Sequence, residues 1–347
     1  MPEPTVTILM SAYNSARTLS AAVDSILAQT YPHFRFVIFD DASTDESREI
    51  LRGFEDDRLV LRLLEQNRGL TQNLAIGVSE ANTSYIARMD ADDIAMPTRI
   101  ARQFEFLEQH DEIDVLGTNV VFFDDQGNET IGIQPENHED IAILLFFGFT
   151  MLHPTIMMRR KALLDGGFNY NPRFKYSQDY DLWSRMAPTR TFANLQTPLL
   201  KLREHPGKIT RSKRNEQQMF SAEIRARQLK TLLPMVSDQE IQCFVQAARG
   251  DPLAHLQALS DLDRLLERLI FANNARRIYN PDKFSAEAAL FFKGICRSHL
   301  DLGMETWSIY SKSTLRTHLP DQSLRARWGF RIHSMLAKLR GVQTGEK

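Results

Sequence analysis

Tyr85-Ile86-Ala87-Arg88-Met89-Asp90-Ala91-Asp92-Asp93 carries an apolar, strand-like run straight into three carboxylates. Carboxylates this close repel one another and resist desolvation, so a strand ending in them meets a divalent cation, several N–H donors or bulk water. A bland surface turn is the alternative to a Mg²⁺ or Mn²⁺ site, which favours oxygen ligands. Upstream, Arg35-Phe36-Val37-Ile38-Phe39-Asp40-Asp41-Ala42-Ser43-Thr44-Asp45 repeats the design, and Ser43-x-x-Glu46 reads as a capping box that opens a helix. Before both stands Val6-Thr7-Ile8-Leu9-Met10-Ser11-Ala12-Tyr13-Asn14, leading into a helix with Leu19, Val23, Ile26 and Leu27 on one face. Strand then helix, repeated, implies an α/β fold with a mostly parallel sheet, whose ligands bind beyond the carboxyl ends of the strands. Tyr13, Asp40, Asp41, Asp90 and Asp92 are therefore expected to converge. No G-x-G-x-x-G or Walker A loop occurs in the first hundred residues, which argues against a dinucleotide-binding Rossmann domain or a P-loop enzyme.

Further blocks follow in order: Ser11-Ala-Tyr-Asn14, Gln29-Thr-Tyr-Pro32, Asp40 to Asp45, Asn67-Arg-Gly69, Tyr85 to Asp93 with Pro97, His153-Pro-Thr155, Gly166-Gly-Phe168, and Asp179-Tyr-Asp-Leu-Trp183 with Arg185. In these blocks, over roughly residues 4 to 210, the chain resembles an inverting family 2 glycosyltransferase with the nucleotide-sugar-binding GT-A fold. That resemblance implies a Rossmann-like sheet flanked by helices, and a divalent metal, Mn²⁺ or Mg²⁺, held by Asp90 and Asp92. It implies donor contacts from Ser11, Ala12, Tyr13, Asn14, Asp40, Asp41, Asn67, Arg68, Asp90 and Ala91. The expected donor is a nucleotide sugar, a UDP-sugar first, and the acceptor a hydroxyl of a glycan, lipid-linked sugar or polysaccharide precursor. Tyr13 would pack on the base, with an ordinary core aromatic as the alternative. Asn67 and Arg68, just before a helical pattern, could meet phosphate, although Arg68 reads equally as a solvated surface charge.

Inversion needs a base that takes the acceptor hydroxyl proton as the new bond forms. The family places it in a Glu-Asp pair, which here reads Gln178-Asp179. Asp179 keeps the base, and loss of the neighbouring charge is expected to lower its pKa. A helix-start acid favoured by the dipole is the structural alternative. His153, Gln178, Trp183, Arg203 and His205 are the remaining candidates for diphosphate or acceptor contacts. A satisfied core histidine is the other reading of His153, and a surface loop that of Arg203 and His205.

The chain has 347 residues, 43% of them apolar, enough for two ordinary domains, and a net charge of −2 that gives no general pull toward nucleic acid. Cys243 and Cys296 lie far apart and read as reduced thiols of a cytosolic protein. The first residues read as leading straight into the first strand, so no signal peptide is expected, and the longest apolar stretch, Ile141 to Leu152, is shorter than the ~20 residues a bilayer span needs. Domains are expected at 1–213, catalytic, and 214–347, helical. In the second, Arg214 to Leu233, a capping box at Ser237-x-x-Glu240, Leu253 to Leu269 and Phe284 to Leu300 read as helices. At 322–340, Leu324, Trp328, Ile332, Met335, Leu336 and Leu339 share a helical face flanked by Arg327, Arg331 and Lys338. Such a helix can lie peripherally on the inner membrane face, or pack as the last helix of its domain. Besides a metal-dependent hexosyltransferase, a sugar nucleotidyltransferase and a catalytically silent nucleotide-sugar-binding module are the competing functions. The first of these is disfavoured because Ser11 to Ala16 lacks a glycine-rich phosphate loop.

Overall fold

The computed structural model describes residues 3–148, 151–204, 214–253, 255–299 and 303–319. Its order in the first part of the chain is β1 (Val6–Ala12), α1 (Ala16–Leu27), β2 (Phe34–Asp40), α2 (Ser47–Arg52), β3 (Leu59–Leu63), α3 (Leu70–Glu80), β4 (Tyr85–Met89), β5 (Ile94–Ala95) and α4 (Arg99–Gln109). There follow β6 (Val115–Phe123), β7 (Glu129–Gly132), α5 (His138–Phe147), β8 (Met157–Arg159), α6 (Arg160–Asp165), α7 (Gln178–Met186) and β9 (Phe192–Arg203).

The nine strands form one sheet in the order β3-β2-β1-β4-β8-β6-β9-β5, with β7 alongside β6. The expected α/β architecture is present, as a parallel block of β3, β2, β1 and β4 continued by a mixed part in which β8 runs antiparallel to both β4 and β6. All of β4 and nearly all of β1 are buried, which is why they read as unbroken apolar runs rather than alternating ones. In α1, Leu19, Ala22, Val23 and Ile26 recur at helical spacing, and this stripe is buried in the same core as β1 and β2. Chain order reverses beside β1, since β2 lies on one side and β4 on the other. At such a switch point the connections leave in opposite directions and open a crevice at the carboxyl ends of the strands.

The capping box expected at Ser43 does not form. The helix starts at Ser47 with no side-chain cap, and the polar side chains of this turn serve the neighbouring turn instead. Ser43 Oγ accepts from Asn14 N–H, Ser47 Oγ from Ser15 N–H and Asp45 Oδ2 from Ala16 N–H. These bonds satisfy donors at the start of α1 that have no intrahelical partner.

The chain divides into two compact units, Met1–Ile141 with Thr150–Ser221 and Ala142–Phe149 with Ala222–Lys347. The division falls after residue 213 because the first turns of helix Arg214–Leu232 are bound to the first unit: Ser177 Oγ donates to Gln217 O and lies 3.1 Å from Ser221 Oγ. Residues of α5 join the second unit through Phe146 and Phe147, whose rings pack on Phe244 and Phe284. The second unit is helical throughout its described residues, with helices Asp238–Ala248, Leu256–Arg276, Pro281–Ser298 and Met304–Lys312. The capping box at Ser237 is present, with Ser237 Oγ accepting from Glu240 N–H and Ser237 N–H donating to Glu240. Ser237→Ala is expected to lower stability by about 1 kcal/mol, read by denaturant midpoint, and an unchanged midpoint would contradict the cap's contribution. Among the described residues, no helix is long and apolar enough to cross a membrane. The amphipathic helix expected at 322–340 lies outside the described residues.

Candidate active site

The carboxyl ends of β1, β2 and β4 bring the sequence-predicted residues to one edge. Ala12 is in register with Asp40, and Met10 with Met89, so Tyr13, Asp41 and Asp90 each begin the turn after their strand. Tyr13 is 50% exposed, which sets aside the core reading of this ring. Asn14 and Ala42 both take left-handed backbone conformations, with φ of 50° and 61°. Non-glycine residues in that region cost on the order of 1–3 kcal/mol and persist where the surroundings impose them. Here Asn14 Oδ1 accepts from Thr44 N–H at 2.8 Å and locks the two turns together.

The two adjacent acids of β2 have different tasks. Asp41 accepts from the backbone N–H groups of Arg68 and Gly69, both at 2.8 Å, and its carbonyl accepts from Asn67 Nδ2. Its carboxylate thus anchors the start of α3, where Gly69 supplies a φ of +84°. Asp40 accepts through Oδ2 from Arg48 Nε at 2.6 Å, whereas its buried Oδ1 has no partner. Ser11 Oγ accepts from Asn73 Nδ2 at 3.0 Å, Ala91 is buried with its carbonyl accepting from Thr18 Oγ1, and Arg68 is exposed.

Asp90, Asp92 and Asp93 can each offer a carboxylate oxygen within 4.8 Å of the other two. Sequence reasoning assigned the cation to the first two; the third belongs to the same cluster. Three converging carboxylates form a hard, oxygen-only set that fits Mg²⁺ or Mn²⁺. Asp93 is buried and accepts from Arg203 N–H at 2.9 Å. Burial, with the charges of Asp90 and Asp92, pushes its carboxyl well above the usual range. Arg88, also buried, forms an ion pair with Asp90. The sequence carried a signal for that pair: Arg88 stands two residues before Asp90 as the one cation in an apolar run.

Asp179 sits in the first turn of α7, after Ser177, and its Oδ1 accepts from Tyr180 N–H at 2.8 Å. Burial raises its pKa, with Arg88 opposing and Asp90 reinforcing the shift. The lowering expected from the neutral neighbour Gln178 is thus outweighed by desolvation. Gln178 itself is buried and its Oε1 lacks a partner. Charges from β4 and α7 therefore act on one another across the site, although some ninety residues separate them in the sequence. Tyr170, which the sequence gave no reason to choose, belongs to the same set, since Arg88, Asp179 and Asp90 all act on its phenol.

His153 conforms to the core alternative. It is buried, its Nε2 lies 2.7 Å from Tyr170 Oη, and burial and the Arg88 charge pull its pKa well down, so the imidazole is neutral. Trp183 is fully buried and packs edge-on to His153 and Phe192. Arg203 is committed within the protein: its guanidinium donates to Asp92 O and to Asp125 Oδ1 and stacks on Phe123. Those bonds tie the end of β9 to the acidic turn. His205 lies outside the described residues.

The sequence profile of Glycosyl transferase family 2 matches residues 7–168. The chain is 36% identical over 207 residues to the putative glycosyltransferase EpsE of Bacillus subtilis, covering 58% of this chain and 73% of that protein. It is 30% identical over 213 residues to the O-antigen biosynthesis glycosyltransferase WbnJ of Escherichia coli, covering 58% and 80%. Among solved structures, residues 1–349 of S. aureus TarS in complex with UDP-GlcNAc superpose with a TM-score of 0.57 at 15% identity, covering 92% of this chain and 93% of that one.

Proposed function

We propose, from the premise that this chain belongs to glycosyltransferase family 2, that it transfers a sugar with inversion from a nucleotide-sugar donor to a hydroxyl acceptor, using Asp179 as general base and a divalent cation at Asp90 and Asp92. The observation that carries this reading is that Asp179 of α7 lies near enough to Arg88 of β4 and to Asp90 for both charges to act on its carboxyl. A base and a leaving-group site must flank the same anomeric carbon for a single displacement, and these two groups come from distant parts of the chain.

The nucleoside is assigned to the switch-point crevice. Tyr13 offers an exposed ring for stacking and Asp40 Oδ1 an unpaired acceptor for a base or ribose donor. A cation held by Asp90 and Asp92, with Asp93 beside them, would neutralise charge on the departing diphosphate as a Lewis acid. Arg88 holds Asp90 in place and brings a fixed positive charge to the same site. At the base, the Asp179 carboxylate, held by Tyr180 N–H at Oδ1, takes the acceptor proton as the hydroxyl oxygen attacks. Burial makes Asp179 a stronger base than an exposed carboxylate. His153, neutral and bonded to Tyr170, orients that phenol beside the base rather than competing for the proton.

A UDP-sugar is the proposed donor, since the TarS neighbour was solved with UDP-GlcNAc, and surface-polysaccharide or glycolipid assembly is the proposed setting, one relative being named for O-antigen biosynthesis. Incubation with a panel of nucleotide sugars and Mn²⁺, with and without glycan acceptors, tests the reading through nucleotide release. Release from a UDP-sugar that requires Mn²⁺ supports it. Binding of the same donor without release under any acceptor would favour a silent module instead.

A further inference from the structure

We propose that Arg99 is a positioning residue for the cation-binding carboxylates, gripping the end of β4; the inference rests on the metal reading above. Arg99 opens α4 and is among the largest side chains with almost no exposure. Burying a guanidinium is costly unless it is bonded and its charge is opposed. Its partners in direct contact are all neutral. Nη2 donates to the Arg88 carbonyl at 2.8 Å, Nε to Gln103 Oε1 at 3.1 Å, and Nη1 approaches Met89 Sδ at 3.5 Å.

Burial pulls the pKa of Arg99 down to about 9, with the Arg88 charge adding to the fall and Asp93 opposing it, so the guanidinium depends on its hydrogen bonds. Arg99 thus bonds to the backbone of β4 at Arg88, two residues before Asp90, and so grips the strand where it leads into the acidic turn. Gln103 extends the grip, donating through Nε2 to Leu116 O of β6 at 3.0 Å and to Thr155 O, in the turn that carries His153, at 2.8 Å. One planar fork and one amide thus connect the cation end of the site to the turn that carries His153. A fold-holding role needs only that these groups be satisfied. A positioning role also requires that loss of the fork geometry loosen the carboxylates, because a cation site depends on converging ligands held to a fraction of an ångström.

The test compares Arg99→Lys, which keeps the charge and loses the fork, with Gln103→Met, which keeps Arg99 and loses its anchor. Mn²⁺ binding to each full-length protein is measured by calorimetry, alongside circular dichroism and melting. Arg99→Lys is expected to weaken Mn²⁺ about 10- to 100-fold, the usual effect of removing a group that orients metal ligands. Gln103→Met is expected to weaken it severalfold, and the Mn²⁺ concentration for half-maximal transfer should rise while kcat at saturating Mn²⁺ changes by less than about threefold. Wild-type Mn²⁺ affinity in folded Arg99→Lys overturns the inference, as does failure of both variants to fold, which assigns the network to the fold alone. If unmutated protein binds no Mn²⁺, the metal reading falls, and this inference with it.

Discussion

Asp179→Asn is expected to reduce sugar transfer by roughly 10²- to 10⁴-fold, the usual contribution of a positioned base, while donor and Mn²⁺ affinities stay nearly intact. The amide is the same size and can still accept from Tyr180 N–H, so the first turn of α7 is preserved. What it cannot do is take the proton of the attacking hydroxyl. The pH dependence gives an independent check. Burial holds the carboxyl of Asp179 above the ordinary carboxylate range, so it is protonated and inactive at low pH, and kcat/KM should rise as pH climbs through that raised value. In Asp179→Asn this acidic limb should vanish. Gln178→Glu should displace it upward, because a second charge in the same helical turn further disfavours ionisation. Near wild-type transfer by Asp179→Asn would place the base elsewhere; loss of folding would assign Asp179 to the helix start alone.

The strands that frame the crevice were legible because parallel strands buried on both faces leave little choice of residue. Val6–Ala12, Phe34–Asp40 and Tyr85–Met89 read as apolar runs, and the acids that follow them stand out. The short antiparallel strands β5, β7 and β8 carried no such signal, since two to four residues give no period. Polar side chains were harder to read where their partners are tertiary. Asp40 and Asp41 are adjacent and alike in sequence, yet one caps α3 and the other keeps an unpaired oxygen. Arg203 resembled a phosphate contact in the sequence, which gave no sign of its pairing with Asp125, on the turn between β6 and β7. In the helical unit, Asn280 and Pro281 form the cap and first residue of a helix that the apolar pattern alone had started at Phe284. Periodicity located the helix body, and the cap chemistry its first turn.

Asp92→Asn is expected to abolish metal-dependent donor binding, and the electrostatics of the cluster explain why this acid matters most. Asp90 shares its charge with Arg88, and Asp93 is buried, bonded to Arg203 N–H and displaced toward its neutral form. Asp92, half-buried between them, therefore supplies a large part of the negative charge that a cation would meet. An amide in its place keeps the size and an oxygen but removes that charge. Mn²⁺ affinity should fall by more than the about 10- to 100-fold typical of an outer-shell partner, and the Mn²⁺-dependent part of UDP-sugar binding should disappear from calorimetric titrations. Asp93→Asn should have a different signature. A carboxyl whose folded pKa lies above its unfolded value binds protons more tightly in the folded state, so metal-free protein loses stability as pH rises from the ordinary carboxylate range toward that raised value. Asp93→Asn should remove that loss and flatten the pH dependence of Mn²⁺ binding, because no proton then needs to be displaced there. Unchanged Mn²⁺-dependent donor binding in Asp92→Asn would exclude Asp92 as a ligand and leave the three acids as a solvated turn.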